Sequence, residues 1–248
     1  MSILIDSHVH FYPSYDPARF FGAFRDAMRR AGARQGAMML AEREGADFFG
    51  AWSRQEGLPK GWTVSRREEA AILLRPPDGR GDVAVVAGRQ IACAERVEIL
   101  ALGTRASFRD GVPAADAVAA ARDSDALPVL AWGVGKWLFS RAAVVESLMR
   151  RFPGPELALG DTSMRPVFWP APSAMLREPT LGRRVLHGSD PLPRAGEDCR
   201  PGQWADLADE PFDRSVPLLS RILSILRETP LSAVGRRAGV FQFARRMF

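Results

Sequence analysis

Apolar residues along this chain fall either in short continuous runs or at intervals of three and four, and the two patterns predict most of its elements. Ile3-Leu4-Ile5 is a short apolar run of the kind that forms a buried strand. Phe20, Phe21, Phe24 and Met28 then recur at helical spacing behind Asp16-Pro17, with Asp as the N-cap, Pro in the first turn and Gly32 as the stop. Ala37 to Leu40 predicts a second strand, and Phe48, Phe49 and Trp52 a second helix. Strand, helix, strand, helix is the order of a parallel sheet with crossover connections.

From Trp62 to Thr104 the texture changes. Thr63-Val64, Ala71 to Leu74, Val83 to Val86 and Val97 to Leu102 are strand-like runs, broken by Pro76-Pro77-Asp78-Gly79, and predict at least one antiparallel hairpin. The α/β alternation resumes with a helix at about 113–122, a strand at Leu127 to Ala131 and a helix near 141–151, capped by Ser140 and stopped before Pro153. Strands at Leu157 to Leu159 and Val185-Leu186 follow, then a helix carrying Leu218, Leu219, Ile222, Leu223 and Leu226. Two long connections, 161–183 and 188–214, read as irregular segments after strand ends, where an α/β barrel builds its site. The fold expected is therefore a distorted TIM-like (β/α) barrel of about seven strands, a single domain over 1–248 with a β-rich insertion at about 62–104.

Composition narrows the function classes. The 248 residues are 46% hydrophobic and 25% charged, an ordinary globular balance. No run approaches the roughly 18 apolar residues of a membrane span, and the first residues lack the basic start and apolar stretch of a secretory signal. Cys93 and Cys199 suit a reduced, cytoplasmic setting rather than a disulfide framework. Of 34 basic residues only Lys60 and Lys136 are lysines, and the net charge is +5. The arginines are scattered apart from Arg236, Arg237, Arg245 and Arg246, without a stripe of interleaved aromatics, so no nucleic-acid partner is expected.

The chemistry gathers at strand ends. In Asp6-Ser7-His8-Val9-His10 the two imidazoles are two positions apart, which on an extended strand puts them on one face and within reach of one divalent ion. His187-Gly188-Ser189-Asp190-Pro191 ends a later strand with a carboxylate that either ligates a metal, takes a proton from water or simply shapes a turn. Trp132-Gly133-Val134-Gly135-Lys136-Trp137 follows another strand; its glycines allow close backbone approach and its tryptophans wall a pocket or pack in the core. Glu42, Glu98 and Asp161 stand at or near strand ends as further oxygen ligands. Arg89, Lys136 and Arg165 are candidate anion-binding groups, and Tyr12 a candidate donor to a substrate oxygen.

Taken together, the opening Ile5-Asp6-Ser7-His8-Val9-His10-Phe11 and the ending Gly188-Ser189-Asp190 resemble the metal-dependent hydrolase superfamily of amidohydrolases and polymerase-and-histidinol-phosphatase (PHP) phosphoesterases. Ser14-Tyr15-Asp16 is closer to the PHP opening, Asp190-Pro191 to the amidohydrolase ending. The chain departs from both patterns: Leu40-Ala41-Glu42 stands where PHP proteins have Asp-His, Trp132 where they have a later histidine, and no histidines serve an amidohydrolase's fifth and sixth strands. The resemblance implies a metal-dependent hydrolase holding a divalent ion (Mn, Zn, Fe or Mg) on His8, His10 and Asp190, with Glu42, Glu98 or Asp161 adding ligands. Asp190 and His187 would be the catalytic groups, and Arg89, Lys136, Arg165, Tyr12 and Trp132 would bind a small anionic substrate, a phosphoester in preference to an amide or lactone. Two alternatives stand beside this: the reduced histidine set suggests a barrel with an eroded metal site serving as a binding or regulatory protein, and the amidohydrolase likeness suggests an amidohydrolase-like decarboxylase.

Overall fold

The computed structural model describes residues 2–210 and 215–247. Its strands are β1 (Ile3–Val9), β2 (Gln35–Leu40), β3 (Thr63–Arg67), β4 (Ala71–Arg75), β5 (Val83–Val86), β6 (Gly88–Ala92), β7 (Glu98–Leu102), β8 (Leu127–Ala131), β9 (Ala158–Thr162), β10 (Val185–Gly188), β11 (Trp204–Ala208) and β12 (Ser232–Gly235). The α-helices are α1 (Pro17–Arg30), α2 (Phe48–Ser53), α3 (Ala114–Asp123), α4 (Ser140–Arg151), α5 (Ser173–Arg177), α6 (Leu218–Glu228) and α7 (Val240–Met247).

The expected barrel is not formed. The strands make two mixed sheets, one of seven in the order β12-β11-β1-β2-β5-β4-β3 and one of five in the order β10-β9-β8-β7-β6. A closed barrel needs an unbroken ladder, and here β11 lies antiparallel along the edge of β1, with Ile5 opposite Asp206, where a closing strand would pair. The sheets instead touch at two seams of isolated hydrogen bonds. On one, the Asp190 N–H donates to the His8 carbonyl at 2.9 Å; on the other, Glu42 N–H donates to Gly88 and Gln90 N–H to Glu42, at 3.0 and 2.9 Å. The 62–104 segment is also not an appendage: β5 pairs parallel with β2 inside the larger sheet, while β6 and β7 belong to the smaller one.

The core explains this layering. Ile3, Ile5, Ala37, Met39 and Val86 from the larger sheet pack against Leu100, Leu102, Val129 and Leu186 from the smaller, with α6 supplying Leu218, Ile222 and Leu226. Strands buried on both faces read as continuous apolar runs, which is why they were legible in the sequence. Behind the larger sheet, Phe20, Phe21, Phe24 and Met28 of α1 and Trp52 of α2 cover Leu4, Met38 and Leu40. Asp16 caps α1 as expected, its side chain accepting from Ala18 N–H. Ser140 does not cap α4: it lies inside the helix, and Phe139 precedes it at φ 57° with no side-chain cap bond. The 161–183 connection contains α5, and the 188–214 connection contains β11, whose short run is interrupted by the buried Asp206; residues 211–214 lie outside the described residues.

At the first seam Gly188 sits against β1 so closely that a Cβ there would lie 2.4 Å from His8 Cβ and 2.6 Å from its backbone nitrogen. Both are too short for any side chain, so the seam requires glycine. Gly188→Ala is expected to lower unfolding free energy by about 1–3 kcal/mol, the usual penalty of overpacking a tight interior, measured as a lower urea midpoint at unchanged m-value.

Candidate metal centre

The bulge in β1 between Asp6 and Val9 turns His8 and His10 toward one point, and the sharp turn after β10 brings Asp190 to it. His8 Nε2 and His10 Nε2 are 3.0 Å apart, and Asp190 Oδ1 is 3.7 Å from each. Atoms about 2.1 Å from a common ion are about 3.0 Å apart at 90° and about 3.6 Å apart at 120°, so these three donors match a shared divalent cation without rearrangement. Both rings are buried and the ion-pair side of Asp190 is 18% exposed, which leaves an approach from solvent for further ligands. Gln90 on β6 adds an amide oxygen 3.3 Å from His8 Nε2. Tyr12 lies against His10, ring centroids 5.8 Å apart.

The electrostatics suit a ligand set. Burial, with the neighbouring His8 charge, holds the His10 imidazole down at about 3, so it is neutral and ready to coordinate. Burial works against ionisation of Asp190, but His8, His10, Lys136 and Arg246 together keep its carboxyl below the ordinary value. Asp190 itself takes φ +48°, a left-handed conformation that Asp tolerates better than most residues. It is pinned there by its N–H bond to His8 and by Arg246, which donates to the Asp190 carbonyl at 3.0 Å, to Ser163 Oγ at 3.0 Å and to Glu197 at 2.7 Å. Burial raises the Tyr12 hydroxyl to about 12, leaving it a proton donor at neutral pH.

Beneath the ligands lies Asp6, fully buried. Its Oδ1 accepts from Ser189 N–H at 2.9 Å and His8 N–H at 3.3 Å, and its Oδ2 from Gly202 N–H at 2.7 Å. Burial raises its pKa to about 6 against the lowering effect of those donors.

The other expected site residues are placed elsewhere or in pairs. Among the described residues, only His8, His10 and Asp190 converge as a ligand group. Glu42 accepts from Phe49 N–H at 2.9 Å and from Arg89 at 3.1 Å, so both residues are tied into the start of α2. Asp161 is gripped by Arg165 through bonds of 2.7 and 2.6 Å, and Arg165 also donates to the Trp169 carbonyl. Glu98 pairs with Lys136. Trp132 is buried against Trp169. His187 holds Asp206 through Nδ1 at 2.7 Å, packs edge-on to Trp204 and stands outside the ligand group; its pKa is raised because the Asp206 hydrogen bond and charge outweigh burial. Arg246, Gln90 and Asp206 were not singled out by sequence reasoning. Arg246 was visible only as part of a basic cluster near the end of the chain.

No protein-family model matches the chain, and no curated protein does. Two solved structures share its fold. PsfC from Pseudomonas syringae PB-5123 is 12% identical with a TM-score of 0.62, over 99% of this chain and 95% of that one. Endonuclease Q, in complex with a 27-mer duplex substrate that has an abasic lesion at the active site, is 14% identical with a TM-score of 0.55, over 91% of this chain. The present chain spans 56% of the length of that structure. At these identities the likeness is one of fold. It also corrects the expected partner: a small anionic substrate with nucleic acid excluded does not stand when a structure on this fold holds a DNA duplex. No described helix is long and apolar enough to cross a membrane.

Two outcomes follow from the site. Apo-protein titrated with Mn²⁺ or Zn²⁺ should bind in the centre, and His8→Ala with His10→Ala should weaken that binding at least about tenfold while leaving the far-UV CD unchanged, as read by calorimetry. For Asp6, the unfolded chain releases its proton near 3.8 and the folded chain near 6. The stability this group contributes is therefore full below pH about 4 and falls by up to about 3 kcal/mol as pH rises to 6. Chelator-treated protein should show that downward trend in urea midpoint, and Asp6→Asn should flatten it.

Proposed function

We propose that the chain is a metal-dependent hydrolase that cleaves phosphodiester bonds in nucleic acid. The observation that carries this reading is the convergence of two imidazoles, that of His10 held neutral by burial, and one partly exposed carboxylate on one point, the three-ligand arrangement that catalytic metal sites use. The likeness to Endonuclease Q supports nucleic acid as the substrate class. A divalent ion held by His8, His10 and Asp190 supplies Lewis acidity to water and to the scissile phosphate.

The remaining work falls to the side chains. Asp190, kept ionised by its neighbours, accepts a proton from the attacking water at its carboxylate. Tyr12, still protonated, donates toward the oxygen on which charge develops. Lys136, bound to Glu98 and close enough to lower the Asp190 pKa, orients the phosphate. We give His187 no step, because Asp206 takes its Nδ1 and it lies outside the ligand group.

The test is cleavage of end-labelled single-stranded and duplex oligonucleotides, with and without an abasic position, by apo-protein resupplied with Mn²⁺, Mg²⁺ or Zn²⁺. We expect metal-stimulated cutting that chelator abolishes and that Asp190→Asn reduces by about 10²–10⁴-fold. Stoichiometric metal binding without cleavage of any of these substrates would overturn the reading and favour the binding-protein alternative, which the pairing of Glu42, Glu98 and Asp161 with cations makes specific.

A further inference from the structure

One sizeable cavity lies away from the metal centre. It is a cleft of about 1150 Å³ on the outer side of β1, between the last turn of α1 and the β12–α7 segment, and none of His8, His10 and Asp190 lines it. Three arginines do: Arg30, Arg236 and Arg237. No carboxylate lines it, and none of the three arginines forms an ion pair within the described residues. Arg30 and Arg236 are exposed, while Arg237 lies with its guanidinium 5.9 Å from the centre of the half-buried Trp204 ring. Gln203 and Gln242 add amides, and Leu4, Ala27 and Val234 an apolar wall.

Cations without an ion-pair partner, as Arg30 and Arg236 are here, raise the local potential in a concave site and hold anions, while Arg237 also donates to the Trp169 carbonyl at 3.4 Å. Arginines at the rim of a cleft, with one more beside an aromatic ring, form an arrangement that holds a single-stranded backbone by its phosphates and a base by its face. We propose that this cleft is a second binding surface, separate from the metal centre, for a single nucleic-acid strand. Arg30 and Arg236 hold phosphates at its rim, and Arg237 with Trp204 receives a base. The class of ligand rests on the nucleic-acid reading above; the location does not.

The surface also has a route to the metal centre. Gly202 forms part of the cleft wall, and its N–H is one of the three that Asp6 accepts, alongside those of His8 and Ser189.

The experiment is fluorescence anisotropy of a labelled 15-nucleotide oligo-dT with the full chain in chelator, so that binding is read without cleavage, repeated across salt concentrations. We expect saturable binding whose log affinity falls against log salt with a slope of about −1.4, as two phosphate contacts on a single strand predict. Arg30→Ala with Arg236→Ala should weaken it at least about tenfold and bring the slope to about zero. His8→Ala with His10→Ala should bind as the parent does. Both arginines are exposed, so loss of fold is not expected, and far-UV CD checks it. Wild-type binding by the arginine variant, loss of binding in the histidine variant, or competition by thymidine monophosphate at concentrations equal to the oligomer would each overturn the proposal. Binding that maps to the arginines in a protein that cleaves nothing would sustain it while removing the hydrolase reading.

Discussion

The carboxylate of Asp6 is the constraint on which the architecture turns. It is buried where two sheets meet without a ladder, and its two oxygens satisfy backbone N–H groups from three places: His8 on β1, Ser189 after β10 and Gly202 before β11. A buried N–H without a partner costs about 1–3 kcal/mol, so one side chain replaces the interstrand bonds that a closed barrel would supply there. The same three bonds fix the height of β10 against β1. That height decides whether the Asp190 carboxylate reaches the two imidazoles or passes beside them.

Support for the ligands is layered outward from this point. Gly188 allows β10 to lie against His8, the Asp190 N–H ties the strand end to the His8 carbonyl, and Arg246 of α7 locks the Asp190 carbonyl from the other side. Residues 8, 190 and 246 are far apart in sequence, so the centre exists only in the assembled fold. Arg246 is itself held by Glu197 and Ser163, which extends the network to the segments after β9 and β10. Ligand geometry set by such a network is pre-organised, and the near match of the 3.0 and 3.7 Å separations to a shared ion is its result.

Elements with apolar runs were legible in the sequence: β1, β2, β5, β7 and β8, and the amphipathic faces of α1 and α6. So was the shared face of His8 and His10, two apart on a strand, whereas Asp190 was joined to them only through the resemblance to metal-dependent hydrolases. What escaped was carried by polar or short segments. β6, Gly-Arg-Gln-Ile-Ala, and β11, with Asp206 at its centre, offer no hydrophobic run, yet β11 is the strand that takes the edge of β1 and prevents closure. The roles of Glu42 and Asp161 were equally hidden, since an acid at a strand end looks the same whether it faces an ion or an arginine. Only their placement beside Arg89 and Arg165 decides it.

An open pair of sheets has margins that a barrel lacks. β10 and β6 spend theirs against the opposite sheet, but β3 borders solvent, with Thr63, Ser65 and Arg67 exposed along it. Unpaired strand margins invite neighbouring chains to add on as further strands. Here the guanidinium groups of Arg66 and Arg67 line that margin, and Arg66 is bent back to Glu68 and the Val216 carbonyl. Charge and side-chain bulk along β3 oppose that kind of addition at an edge that a closed circle of strands would not have.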